Sequence, residues 1–109
     1  MAIPISPGKR DAFREFTQAL AGPKSKEFAD MEKRTKTNKE TWFLQPSPKG
    51  DTVVVYFECE DLQSALQNLA TSKNTFDVWF KDELGKITGM DFNKPMDGPM
   101  PEQVLNYKH

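Results

Sequence analysis

Val53, Val54, Val55, Tyr56 and Phe57 form an unbroken apolar and aromatic run inside the segment DTVVVYFECED. A strand with one wet face alternates apolar and polar residues, so this run asks for cover on both faces. At 109 residues the chain builds one core and not two, which limits what can supply the second cover. Hydrophobic residues make up 37% and aromatics 11%, enough for a folded domain.

The run belongs to a hairpin. Glu40 to Pro46, ETWFLQP, reads as an aromatic strand, and Ser47 to Gly50, SPKG, as the turn that joins it to the long strand. With a four-residue loop Pro46 lies opposite Asp51. Trp42, Leu44, Val53, Val55 and Phe57 then share one face, and Phe43, Gln45, Val54, Tyr56 and Glu58 share the other.

Before the hairpin, AIPIS reads as a short first strand in which Pro4 lacks a ladder donor, which predicts a very short strand or one at a sheet edge. Ser6 as N-cap and Pro7 at the first helical position predict a helix to about Leu20, with Phe13, Phe16 and Leu20 as its buried stripe. A mostly charged helix over residues 23–36 follows, anchored by Phe28 and Met31 alone, its polar face solvated. The basic run Lys33 to Lys39 reads as a solvated helix end.

After the hairpin, Asp61 caps a helix carrying Leu62, Ala65, Leu66, Leu69 and Ala70 on one stripe. Asn74 or Thr75 caps another, FDVWFKDEL, which places Phe76, Trp79, Phe80 and Leu84 together and closes at Gly85. Lys86 to Phe92, KITGMDF, alternates as a last strand. Residues 95–109 hold Pro95, Pro99 and Pro101 and read as an extended tail, with Met96, Met100, Val104, Leu105 and Tyr107 as apolar anchors. Residues 1–94 are thus one α+β domain in the split β-α-β, ferredoxin-like layout, an antiparallel sheet with helices on one face.

In such a domain helices cover only one sheet face. The second face of the hairpin is apolar with the polar handles Gln45, Tyr56 and Glu58, and a second copy related by a two-fold axis is the expected cover. The plain alternative leaves Val54 and Tyr56 simply exposed.

Few residue sets here carry chemistry. The one histidine, His109, is the last residue, so histidine-based triads and haem ligation by an internal histidine are not expected. The one cysteine, Cys59, excludes an intrachain disulfide and reads as a small buried hydrophobe. Glu58, Glu60 and Asp61 read as a strand end and helix cap rather than a metal site, and the six glycines form no phosphate-binding loop. Neither a metal nor any other cofactor is therefore expected. A net charge of −1 supplies no field for nucleic acid, and no apolar run is long enough to cross a membrane. The start MAIPISPGKR lacks a signal peptide's apolar core, so a cytoplasmic location is expected.

Phe43, Gln45, Val54, Tyr56 and Glu58 remain as the expected ligand-binding set, suited to a small apolar or aromatic molecule. Glu58 and Tyr56 are the catalytic candidates, Glu58 as a base should burial raise its pKa. Trp42 and Trp79 read as core.

Taken as a set, PISPGKRDAFREF, TWFLQ, VVVYFECED, FDVWFKDE and GMDFNKPMDGPMPEQVL resemble an uncharacterised bacterial family of small proteins related to the dimeric α/β-barrel group. The resemblance covers nearly the whole chain. It implies ferredoxin-like subunits whose two sheets face each other across a homodimer, and it brings no established activity. The expected role is that of a homodimeric small-molecule-binding or accessory protein. The alternative is a cofactor-free monooxygenase or isomerase built on Tyr56, Glu58 and Gln45.

Overall fold

The computed structural model describes residues 1–94 together with Val104, Leu105 and Tyr107. Its elements run β1 (Ala2–Pro4), α1 (Arg10–Ala21), α2 (Ser25–Arg34), β2 (Thr37–Gln45), β3 (Thr52–Cys59), α3 (Leu62–Thr71) and α4 (Thr75–Thr88). The three strands form one antiparallel sheet in the order β1-β3-β2. Because β3 is antiparallel to both neighbours, β1 and β2 run parallel with β3 inserted between them.

The hairpin register is the one the turn dictates. Gln45 pairs with Thr52, Leu44 with Val53, Phe43 with Val54 and Trp42 with Val55. Val53 and Val55 are buried under the helices, with Trp42, Leu44 and Phe57 packed against the same core. On the bare face Phe43 is 57% exposed, Val54 40% and Tyr56 48%. Pro4 has its predicted consequence: β1 is three residues long and lies at the sheet edge.

The helices differ from expectation at three points. Ser6 to Lys9 form a turn, with Gly8 at φ 78°, so α1 starts at Arg10 instead of Pro7. The charged helix α2 ends at Arg34, and part of the basic run, Thr37 to Lys39, opens β2. The largest difference lies at Lys86 to Phe92, where the expected last strand is absent. α4 continues to Thr88, because the stripe Phe76, Phe80, Leu84 and Ile87 carries its buried face through Gly85. Gly85 is a close-approach position, since a Cβ there would stand 2.9 Å from the Met90 carbonyl oxygen. The helix closes at Gly89, whose φ of 75° is the left-handed C-cap conformation.

The core is aromatic. Phe16 and Phe80 lie 5.5 Å apart, Phe28 stacks on Phe80 at 6.0 Å, and Trp42 meets Phe80 edge-on at 6.0 Å. Beside it, Asp77 is buried and accepts from Arg34 at 2.5 Å and from the Ser72 hydroxyl at 2.6 Å. Buried Lys81 donates to the carbonyls of Ala70 and Ser72, where α3 ends. No helix among the described residues is long and apolar enough to cross a membrane. Of the expected tail anchors, Met96 and Met100 lie outside the described residues, as does His109, while Val104 and Leu105 are exposed.

Candidate functional site

Between the covered face of the sheet and helices α2, α3 and α4 lies a cavity of about 240 Å³. Its walls are mostly apolar, with Met31, Trp42, Val55, Phe57, Leu66 and Phe80 among them. On α3 the buried residue that lines the space is the small Ala65. Exposed Gln63, Gln67 and Lys94 also line the cavity and stand on its solvent side.

Two carboxyl groups share this space, Glu32 from α2 and Glu40 from β2. The link between the elements brings them together. Thr35 caps α2, Lys36 turns the chain in the left-handed conformation at φ 57°, and a bulge between Thr37 and Lys39 resets the strand register. The chain thereby reverses, and Glu40 returns alongside Glu32, bonded to it through the side chains. The Thr35 and Thr37 hydroxyls, 3.1 Å apart, hold the corner and also line the cavity.

Burial, then the neighbouring Glu40 carboxylate, pushes Glu32 up to about 8. Burial raises Glu40 as well, opposed by hydrogen bonds from Trp42 and Glu32. The Trp42 indole N–H donates to Glu40 Oε2 at 2.5 Å. At neutral pH Glu32 therefore keeps its proton beside Glu40. Neither carboxyl forms an ion pair among the described residues. Cys59, on the same sheet face, has its thiol raised by burial and then by Asp61, Glu32 and Glu40, so the thiolate is disfavoured there.

A second, more open groove of about 540 Å³ runs over α1 and the outer half of β2, past Phe13, Leu20, Phe28 and Leu44. Glu40 and Trp42 line both spaces, so their side chains form the partition between them. Trp42 is held by Phe13, stacked at 6.0 Å with 12° between planes.

The five residues expected to bind a ligand lie together on the opposite, bare face. Tyr56 donates to Glu58 Oε1 at 2.8 Å, which raises the phenol above its ordinary value, and Lys39 Nζ stands 5.9 Å from the Tyr56 ring centre. Gln45 donates to the Pro46 carbonyl at 3.3 Å. Phe43 and Val54 are register partners. Glu58 is exposed in the single chain, and neither cavity is lined by any of the five.

The sequence reading missed Glu32 and Glu40. A signal for Glu40 was present: two residues before Trp42 on the same strand, it shares the covered face that Trp42 and Leu44 define. Glu32 had no such signal, being one charge on a charged helix. Among the described residues no group of three His, Cys, Asp or Glu side chains is placed to hold a metal ion. Searches against protein-family models, curated proteins and solved structures returned no match to this chain.

Proposed function

We propose that this protein binds a small molecule in the cavity between its sheet and its helices, and that it does so as a homodimer of ferredoxin-like subunits. One observation carries the binding reading: an apolar cavity of about 240 Å³ is lined by two carboxyl groups, Glu32 and Glu40, that have no ion-pair partner among the described residues. A few convergent polar groups in an apolar space are what orients a ligand. The volume is below the roughly 300–1,000 Å³ of sites for drug-sized molecules, so the ligand is smaller than those.

The dimer reading rests on the bare sheet face. Phe43, Val54 and Tyr56 form an apolar centre between polar edges, and Lys39 and Glu58 are cross-strand neighbours of opposite charge. A second copy related by a two-fold axis would cover this centre, with Gln45, Tyr56 and Glu58 lining the cleft between the sheets. The location in this reading is cytoplasmic.

A second reading, a cofactor-free monooxygenase or isomerase, is favoured by the Tyr56–Glu58 hydrogen bond, which dimerisation would enclose. Glu58→Gln and Tyr56→Phe separate the two: an enzyme loses turnover with its melting temperature unchanged, whereas a packing role lowers the melting temperature.

Native mass spectrometry of gently purified protein tests the leading reading. A species of about 25 kDa, twice the 12.5 kDa chain, with extra mass released on denaturation, is the expected result. A bare monomer that takes up no small molecule contradicts it.

A further inference from the structure

We infer that the ligand of the sheet–helix cavity is a small aliphatic or aromatic amine, whose ammonium group lies between the carboxyl groups of Glu32 and Glu40 that line it. The inference rests on the small-molecule reading above and specifies the chemistry of that ligand.

The argument starts from charge. Two carboxyl groups in one largely apolar wall repel each other as carboxylates, so a cation between them is favoured, and an ammonium can take the place that a proton otherwise holds. The charged groups nearby are engaged elsewhere or stand apart. On α2, Arg34 is bonded to Asp77, and Lys33 is exposed. On β2, Lys39 lies over Tyr56 on the opposite face. From α4, Lys81 is held by the Ala70 and Ser72 carbonyls. The Met1 ammonium donates to the Val55 carbonyl at 3.0 Å. α3 lends only the uncharged Gln63 and Gln67 to the lining, and the Cys59 thiol of β3 is kept neutral. Lys94 lines the cavity from its solvent side, where it is exposed and its charge acts on Asp91.

A primary ammonium supplies three donors and one positive charge. Two carboxylates accept two of those donors, with Trp42 N–H still bonded to Glu40. The remainder of the ligand lies against Met31, Val55, Phe57, Leu66 and Phe80, which offer no polar side-chain partner and so select an apolar body. Because binding expels the Glu32 proton, the amine binds more tightly as pH rises toward the titration of the pair.

The test is isothermal titration calorimetry of the full chain with three probes of one chain length: hexylamine, hexanol and hexanoate. Hexylamine at pH 8 is expected to bind at least tenfold more tightly than hexanol. Its Kd should fall at least tenfold between pH 6 and pH 8. Titration at pH 6.5 in two buffers of different ionisation enthalpy should reveal close to one proton released per amine bound. Glu32→Gln should abolish the proton release while circular dichroism remains native, and Glu40→Gln supplies the same test should that variant not fold. Hexanol binding as well as hexylamine, with no proton release, overturns the amine assignment and leaves the small-molecule reading standing. No saturable binding of any probe overturns the amine assignment too, and a ligand-free monomer in native mass spectrometry then removes the broader reading.

Discussion

Trp42 donates its indole N–H to the carboxylate of Glu40, two residues earlier on the same face of β2, at 2.5 Å. The bond fixes the wall between cavity and groove and marks Glu40 as the acceptor in the carboxyl pair. Glu32 is then the member that holds the proton, pushed up to about 8 by burial and by the Glu40 charge.

Stability should therefore fall as pH rises. The Glu32 carboxyl binds its proton with a pKa near 4.5 when unfolded and about 8 when folded, so between those values the native state holds more protons. The stabilisation is complete below the lower value and is lost as pH climbs through the upper one. Solvent screening of a half-buried group reduces the effect to on the order of 1–2 kcal/mol, or several degrees of melting temperature. Thermal melts at pH 5 and pH 8 should show this drop in the wild type and a much smaller one in Glu32→Gln. Equal drops in both proteins would place the proton elsewhere.

Gly85→Ala should destabilise the protein although alanine is the better helix former by about 1 kcal/mol. The new Cβ would stand 2.9 Å from the Met90 backbone oxygen, and the segment after α4 would have to shift. A net loss of about 1 kcal/mol or more in urea unfolding is expected. A gain would mean that Met90 yields freely.

Removing the partner of a buried carboxylate is costly even when that partner is partly exposed. Arg34→Met should leave Asp77 with only the Ser72 hydroxyl, at a cost of about 1–3 kcal/mol in denaturant unfolding. Lys33→Met, one residue away on the exposed surface, should change stability by less than about 0.5 kcal/mol.

Val54 is 40% exposed at the centre of the bare sheet face, so Val54→Lys disturbs little within one chain. In a homodimer paired through that face it places two like charges near the two-fold axis. Analytical ultracentrifugation should give a dimer for the wild type and a folded monomer for the variant. An unchanged sedimentation coefficient would show that the face is not the contact.

The hairpin and its faces were legible in the sequence because a turn residue set and a period of two decide them locally. SPKG placed Pro46 opposite Asp51, and the pairing from Gln45 to Glu40 follows from that. The caps Asp61 and Asn74 were legible for the same reason, each accepting from a backbone N–H within three residues. The end of α4 was not. Two glycines four residues apart both suit a C-cap, and only the packing of Ile87 and Thr88 against the core shows that Gly89 takes that role. The carboxyl pair depends on a left-handed Lys36 and a strand bulge, neither of which has a residue signature here. The expected ligand residues were placed correctly on one face, yet the enclosed space lies on the other.

The Glu32 and Glu40 carboxyl groups lining one cavity are the feature on which binding, ligand class and pH response all depend. Carbon-13 NMR titration of the glutamate side-chain carboxyls in the full chain, assigned through Glu32→Gln and Glu40→Gln, measures it directly. The account predicts that Glu32 titrates near 8, that Glu40 also titrates above the ordinary carboxylate range, and that the Glu32 midpoint moves down when Glu40 is replaced. Two independent midpoints near 4.5 would contradict it.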